Sequence, residues 1–205
     1  MKFTRALPWI LATAVLGALA GGFAARMLAQ KPITLQSGTW LPQPRALPHF
    51  QLADFDGRPF GNAELNGHSS LLFFGYTNCP DVCPTTLAVV RETLQHTPMP
   101  GLRFFFITLD PERDSNEVLK RYLGAFNSTF VGVSGSPPAV APLLHSLAAA
   151  EAEKRTTPEG GYQVQHSATL YLLDTHGRLV AVYSPPLSAQ ALGADLRSIA
   201  QAGVL

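Results

Sequence analysis

The sequence predicts an α/β domain, a central mixed sheet flanked by helices. Three observations predict it. Segments rich in β-branched and aromatic residues alternate with amphipathic ones along the chain. Two of the apolar segments, Ser69–Gly75 and Arg103–Leu109, are near-continuous runs of the kind a strand covered on both faces needs. A turn at Asp174-Thr175-His176-Gly177 then joins two further apolar runs into a hairpin. At 205 residues the chain has room for one ordinary domain and a short appendage.

The elements follow in order. His49–Ala53 reads as a short strand turned at Asp56-Gly57, and Ser69–Gly75 as the central strand. Thr85–Gln95 places Leu87, Val90 and Leu94 at helical spacing, and Arg103–Leu109 is the next buried strand. Asp114 and Glu117, three apart, read as a capping box opening a helix to about Phe126, with Leu119, Tyr122, Leu123 and Phe126 on one face. Phe130–Val133 is a short strand, and Val140–Ala149 a helix entered through Ser136, Pro137 and Pro138. Residues 151–161 read as polar loop, Val164–Leu173 and Leu179–Ser184 as the hairpin, and Ser188 as the cap of a last helix through Ala200. Strands alternating with helices, then a hairpin and a closing helix, give a thioredoxin-like layout with additions.

Composition narrows the function. Hydrophobic residues make up 46% of the chain and charged ones 14%, too apolar for an intrinsically disordered chain. A net charge of +1 with no basic run argues against a nucleic-acid partner. Ahead of the domain, Ala6–Ala25 is uncharged for twenty residues and flanked by Lys2, Arg5, Arg26 and Lys31. As a helix it would span about 30 Å, the thickness of a bilayer core. Residues 1–31 therefore read as a transmembrane anchor or a cleavable signal with a site at Ala18-Leu19-Ala20; the run continues past Ala20, which favours the anchor. Either way residues 32–205 are expected outside the cytoplasm, on the periplasmic face of a bacterial inner membrane, where thiols meet oxidants. Residues 32–48, with Pro42, Pro44 and Pro48, read as a linker, and 49–205 as the domain.

The chemistry lies in Gly75-Tyr76-Thr77-Asn78-Cys79-Pro80-Asp81-Val82-Cys83-Pro84, directly after the central strand. Pro84 has no amide hydrogen, so the helix is expected to begin there with Cys83 as its cap, near the positive end of the helix dipole, where thiolates are favoured. Such a pair can be a stapling disulfide, a dithiol redox couple or a soft-metal site. A loop this short would gain only about 2 kcal/mol from a disulfide. Soft sulfur selects Cu(I) or Zn, and copper wants a further donor. Among the histidines, His49, His68, His96, His145 and His176 have ordinary places at element edges, in helices or in a turn. His166 differs: it heads the strand that starts the terminal hairpin, which in a thioredoxin-like layout packs against the cysteine loop. Thiol oxidoreductases of that layout usually carry a cis-proline there, yet no proline lies between Gly161 and Tyr171. That favours metal binding over disulfide exchange. Of the three methionines, Met1 and Met27 lie in the N-terminal leader and only Met99 in the domain, which excludes a thioether relay. Asp110, Glu112, Arg113 and Asp114 are expected to form a solvated charge cluster at a helix start, or else to touch a partner.

Gly75–Leu87, with Thr108–Asp114, Tyr162–Ser167 and Tyr171–Asp174, resembles the Sco/SenC family of membrane-anchored copper-binding proteins over about residues 47–200. The resemblance implies a thioredoxin-like fold in which Cys79, Cys83 and His166 bind one copper ion. It also implies metallation, or reduction, of the CuA centre of cytochrome c oxidase, with the copper-bearing subunit or another copper chaperone as partner. Gln165 departs from the family, whose members commonly have Asp before the histidine. The expectation is a binding protein without a catalytic residue, not a turnover enzyme. An extracytoplasmic thiol-disulfide oxidoreductase, or a redox sensor, would use the same Cys79 and Cys83.

Overall fold

The computed structural model describes residues 33–149, 153–158 and 161–205. The predicted anchor at 1–31 lies outside these. No helix among the described residues is long and apolar enough to cross a membrane.

Ten strands and four α-helices are described. The strands are β1 Thr39–Ala46, β2 Gln51–Asp54, β3 Pro59–Gly61, β4 Ser69–Gly75, β5 Leu102–Thr108, β6 Val131–Ser134, β7 Glu153–Thr156, β8 Tyr162–Gln165, β9 Leu170–Leu173 and β10 Arg178–Tyr183. The helices are α1 Val82–His96, α2 Asn116–Gly124, α3 Pro137–Leu147 and α4 Ala189–Gln201. Eight strands form one mixed sheet in the order β1-β10-β9-β4-β5-β6-β2-β3, and β7 and β8 form a separate pair. The centre is parallel, with β4 on β5 and β5 on β6, and β9 runs antiparallel on the other side of β4.

This order follows from the side chains. All seven residues of β4 are buried, and in β5 the five from Phe104 to Thr108 are too. Strands without a solvent face belong in the middle, under helices. In α1 the buried residues Cys83, Thr86, Leu87, Val90 and Thr93 recur at helical spacing, giving one face to the sheet and to α4. The Asp174–Gly177 turn closes as expected. Gly177 takes φ 67°, and the buried Asp174 carboxylate accepts the amides of His176 and Arg178, each at 2.9 Å, while pairing with the Arg178 guanidinium.

Four local expectations change. The segment read as linker holds β1, an edge strand on β10 whose register shifts between Trp40 and Arg45. An edge position tolerates Pro42 and Pro44, and buried Asp195 of α4 secures the strand's start by accepting the amides of Gln36, Ser37 and Gly38. Residues 153–156, expected in a loop, pair as β7 with β8. The run read as one strand from Val164 to Leu173 is therefore two, β8 and β9, in different sheets. Finally, Ser115 and not Asp114 caps α2, accepting from the Val118 amide. Asp114 is buried, with consequences for the cysteine loop.

Candidate metal centre

The site lies at the carboxyl end of β4. The chain leaves that strand at Gly75 and enters α1 within seven residues, so the cysteine loop is short and held at both ends. The helix starts at Val82, one turn's fraction earlier than expected, with Pro84 as its third residue. Proline fits there because the amides of a helix's first turn have no partner in the helix. Cys83 thus stands inside the first turn, fully buried, and its amide points at the Cys79 sulfur at 3.5 Å. Cys79 sits on the approach loop, also buried.

His166 follows β8 directly, and the fold carries it to the sulfurs. Its Nε2 lies 3.3 Å from Cys83 Sγ, and the three candidate donor atoms of Cys79, Cys83 and His166 all fall within 4.8 Å of one another. Its other ring nitrogen, Nδ1, is 3.1 Å from the Ser167 carbonyl. That oxygen can only accept, so Nδ1 donates to it, and Nε2 is the ring nitrogen that faces the sulfurs. Two rings border the imidazole edge-on, Tyr76 at 5.6 Å and Phe73 at 6.1 Å between centroids. Among the described residues this is the one group of three or more metal-ligating side chains. His49, His68, His96, His145 and His176 are not in it.

The sulfurs are unequal. The hydrogen bond from the Cys83 thiol holds Cys79 well below the ordinary cysteine range; burial opposes this, and the His166 ring and nearby amides add to it. Cys83 is pushed up by giving that same hydrogen bond and by its burial. In the metal-free pair the negative charge is thus favoured on Cys79 and the proton on Cys83. Neither sulfur is in a disulfide.

Three supporting features escaped the sequence. A Cβ built on Gly75 would lie 2.7 Å from Cys83 Sγ and 2.9 Å from the Phe106 ring, so only glycine lets the sulfur sit against the strand. Asp114, expected in solvent, is buried and accepts from the Thr77 amide at 3.0 Å and from the Thr77 and Thr108 hydroxyls, each at 2.6 Å. It ties the cysteine loop to the end of β5. Asp110, also buried, accepts from the Arg113 Nε–H and from the Tyr162 hydroxyl at 2.7 Å. Of the predicted charge cluster only Glu112 is exposed, and Arg113 is half-buried. The available signal for these was spacing, because Asp110 and Asp114 lie four apart just beyond a buried strand.

The donor set suits a soft ion. An ion bound by three donors in a plane, at bonds of about 2.0–2.3 Å, sets them about 3.5–4.0 Å apart. Shifts of under an ångström bring these atoms to that spacing. Residues 41–201 match the sequence profile of the SCO1/SenC family. The chain belongs to that family. A protein of Stutzerimonas stutzeri named for copper binding is 36% identical over 155 residues, covering 74% of this chain and 76% of its own. The SCO1/SenC structures agree with the fold described. Bradyrhizobium japonicum ScoI with copper bound superposes with a TM-score of 0.66 at 36% identity, over 74% of this chain and 98% of that one. Yeast Sco1 with copper bound gives 0.70 at 29% identity, over 77% and 90%.

Proposed function

We propose that the chain binds one copper ion through Cys79, Cys83 and His166 and passes it to the CuA site of cytochrome c oxidase, or keeps that site's thiols reduced. The observation that carries this reading is the convergence of two sulfurs and a correctly oriented imidazole within 4.8 Å in a member of a family with copper-bound structures. Two thiolates and a neutral imidazole give a Cu(I) site of net charge about −1, and Cu(II) would favour a further oxygen or nitrogen donor. Pro80, Asp81 and Val82 are exposed beside the sulfurs, and Val82 is the exposed large apolar side chain among the described residues. An acceptor can thus approach the ion and take it by exchanging ligands one at a time. Residues 1–31 would tether the domain to the membrane outside the cytoplasm, within reach of an oxidase.

Thiol-disulfide exchange is a second reading, and one observation favours it: the Cys83 amide points at the Cys79 sulfur at 3.5 Å beside the Cys83 thiol, an arrangement that lowers the Cys79 pKa. In that reaction Cys79 attacks a partner's disulfide, forming a mixed disulfide and releasing one partner thiolate; Cys83 then attacks the Cys79 sulfur, closing a Cys79–Cys83 disulfide and releasing the second partner thiolate, so two electrons pass to the partner. Copper titration of the parent and His166→Ala separates the two. Copper binding requires His166→Ala to lose Cu(II) affinity strongly. A His166→Ala chain that holds copper as tightly as the parent, with rapid disulfide reduction by the metal-free form, would replace the first reading with the second.

A further inference from the structure

The hairpin of β7 and β8 pairs with no strand of the central sheet, yet it delivers His166. Its attachment runs through Tyr162, the first residue of β8. The Tyr162 hydroxyl donates to buried Asp110 at 2.7 Å, and its carbonyl accepts from Arg113 Nη1 at 3.1 Å. The Arg113 guanidinium lies 3.7 Å over the Tyr162 ring and 5.8 Å from the Tyr76 ring, the same Tyr76 that borders the imidazole. Arg113 Nε donates to Asp110. From β7, Lys154 lies 4.7 Å over the Tyr162 ring and pairs with Glu112 at 2.7 Å.

We propose that Arg113 and Tyr162 are positioning residues for the metal: by clamping β8 to the loop after β5 they hold His166 against the sulfurs, and so set how long the ion is retained. The inference rests on the copper-binding reading above. The clamp can act this way because of its place in the chain. His166 is four residues from Tyr162 and the first beyond β8, so any displacement of the strand is passed to the imidazole without slack. The energetic basis is burial. Asp110 is wholly enclosed, and Arg113 Nη2 is buried without a partner, so each charge depends on the other and on Tyr162. Releasing Tyr162 leaves Asp110 with one fewer donor and frees the end of the hairpin. An acceptor protein that displaced Tyr162 from Arg113 would then loosen the nitrogen ligand first and leave the ion on two sulfurs.

The test loads the full chain with Cu(I), which the two sulfurs alone can still hold when His166 is replaced, and follows its loss to a Cu(I)-selective chelator. Parent, Tyr162→Phe and Arg113→Gln are compared, each also in the His166→Ala background. Tyr162→Phe keeps the ring under Arg113 and deletes only the hydroxyl. It should speed release about tenfold, as loss of a hydrogen bond to a buried charge predicts, with Arg113→Gln at least as large. In His166→Ala neither change should matter, because the clamp acts through that ring. Equal acceleration in both backgrounds, or release at the parent rate, overturns the proposal. A metal-free measurement keeps it separate from the copper reading: the His166 ring proton resonances should shift in Tyr162→Phe towards those of a free imidazole. If they shift while the parent binds no copper, the copper reading falls and the clamp stands; if they do not shift, the clamp falls.

Discussion

Replacing Gly75 by Ala tests how closely the sulfur site depends on the strand beneath it. The new methyl would lie 2.7 Å from Cys83 Sγ and 2.9 Å from Phe106 Cε2. Ordinary contacts fall at about 3.5–4.0 Å, so sulfur, ring or backbone must yield by about 1 Å. Cys83 and Phe106 are both fully buried, so neither can swing into solvent. Overpacking of this kind costs about 1–3 kcal/mol, and urea unfolding of the metal-free chain should show that loss. Copper should suffer separately. Metal sites tolerate donor displacements of about 0.2 Å, so moving one sulfur by several times that should weaken binding at least tenfold in a chelator competition. Gly124→Ala is the control. Beyond its chain neighbours and the helix's own backbone, nothing lies within 4 Å of the added methyl at the end of α2, and replacing a helical glycine there should be neutral or stabilising by up to about 1 kcal/mol. A Gly75→Ala chain with parental stability and parental copper affinity would refute the reasoning.

Two more outcomes follow from the same geometry. Asp114→Asn puts an amide where a carboxylate accepts from Thr77 and Thr108, and should cost about 1–3 kcal/mol in urea unfolding while copper still binds; an unchanged midpoint would contradict the role given to Asp114. Cys79 is held below the ordinary thiol range, so in the reduced, metal-free chain it is already thiolate near neutral pH. Its alkylation rate should stay nearly flat from about pH 6 to 9, with Cys83 unreactive; a rate climbing tenfold per unit towards about pH 8.5 would mean an ordinary thiol.

What the sequence made legible was whatever is encoded locally. β4 is an unbroken apolar run, and such a run has only one comfortable place, in the centre of a covered sheet. The Cys79–Cys83 loop is a contiguous string, and its proline bounds the helix start to within two residues. His166 could be singled out only by assuming a layout, since 83 residues separate it from Cys83. The rest was illegible for physical reasons. In β1, prolines and polar side chains look like linker because an edge strand need bury little and pair on one side only. β7 has four exposed residues and no apolar alternation, so nothing in its pattern distinguishes it from a loop. Asp110 and Asp114 resemble a solvated helix start until their partners are known. Those partners, Tyr162 for one and Thr77 for the other, come from distant parts of the chain.

X-ray absorption at the copper edge of the loaded chain bears most directly on the three-donor site. Two sulfurs at about 2.2–2.3 Å and one nitrogen at about 2.0 Å are expected, with the nitrogen lost in His166→Ala. A parent spectrum showing sulfur alone, or one unchanged by His166→Ala, would contradict it.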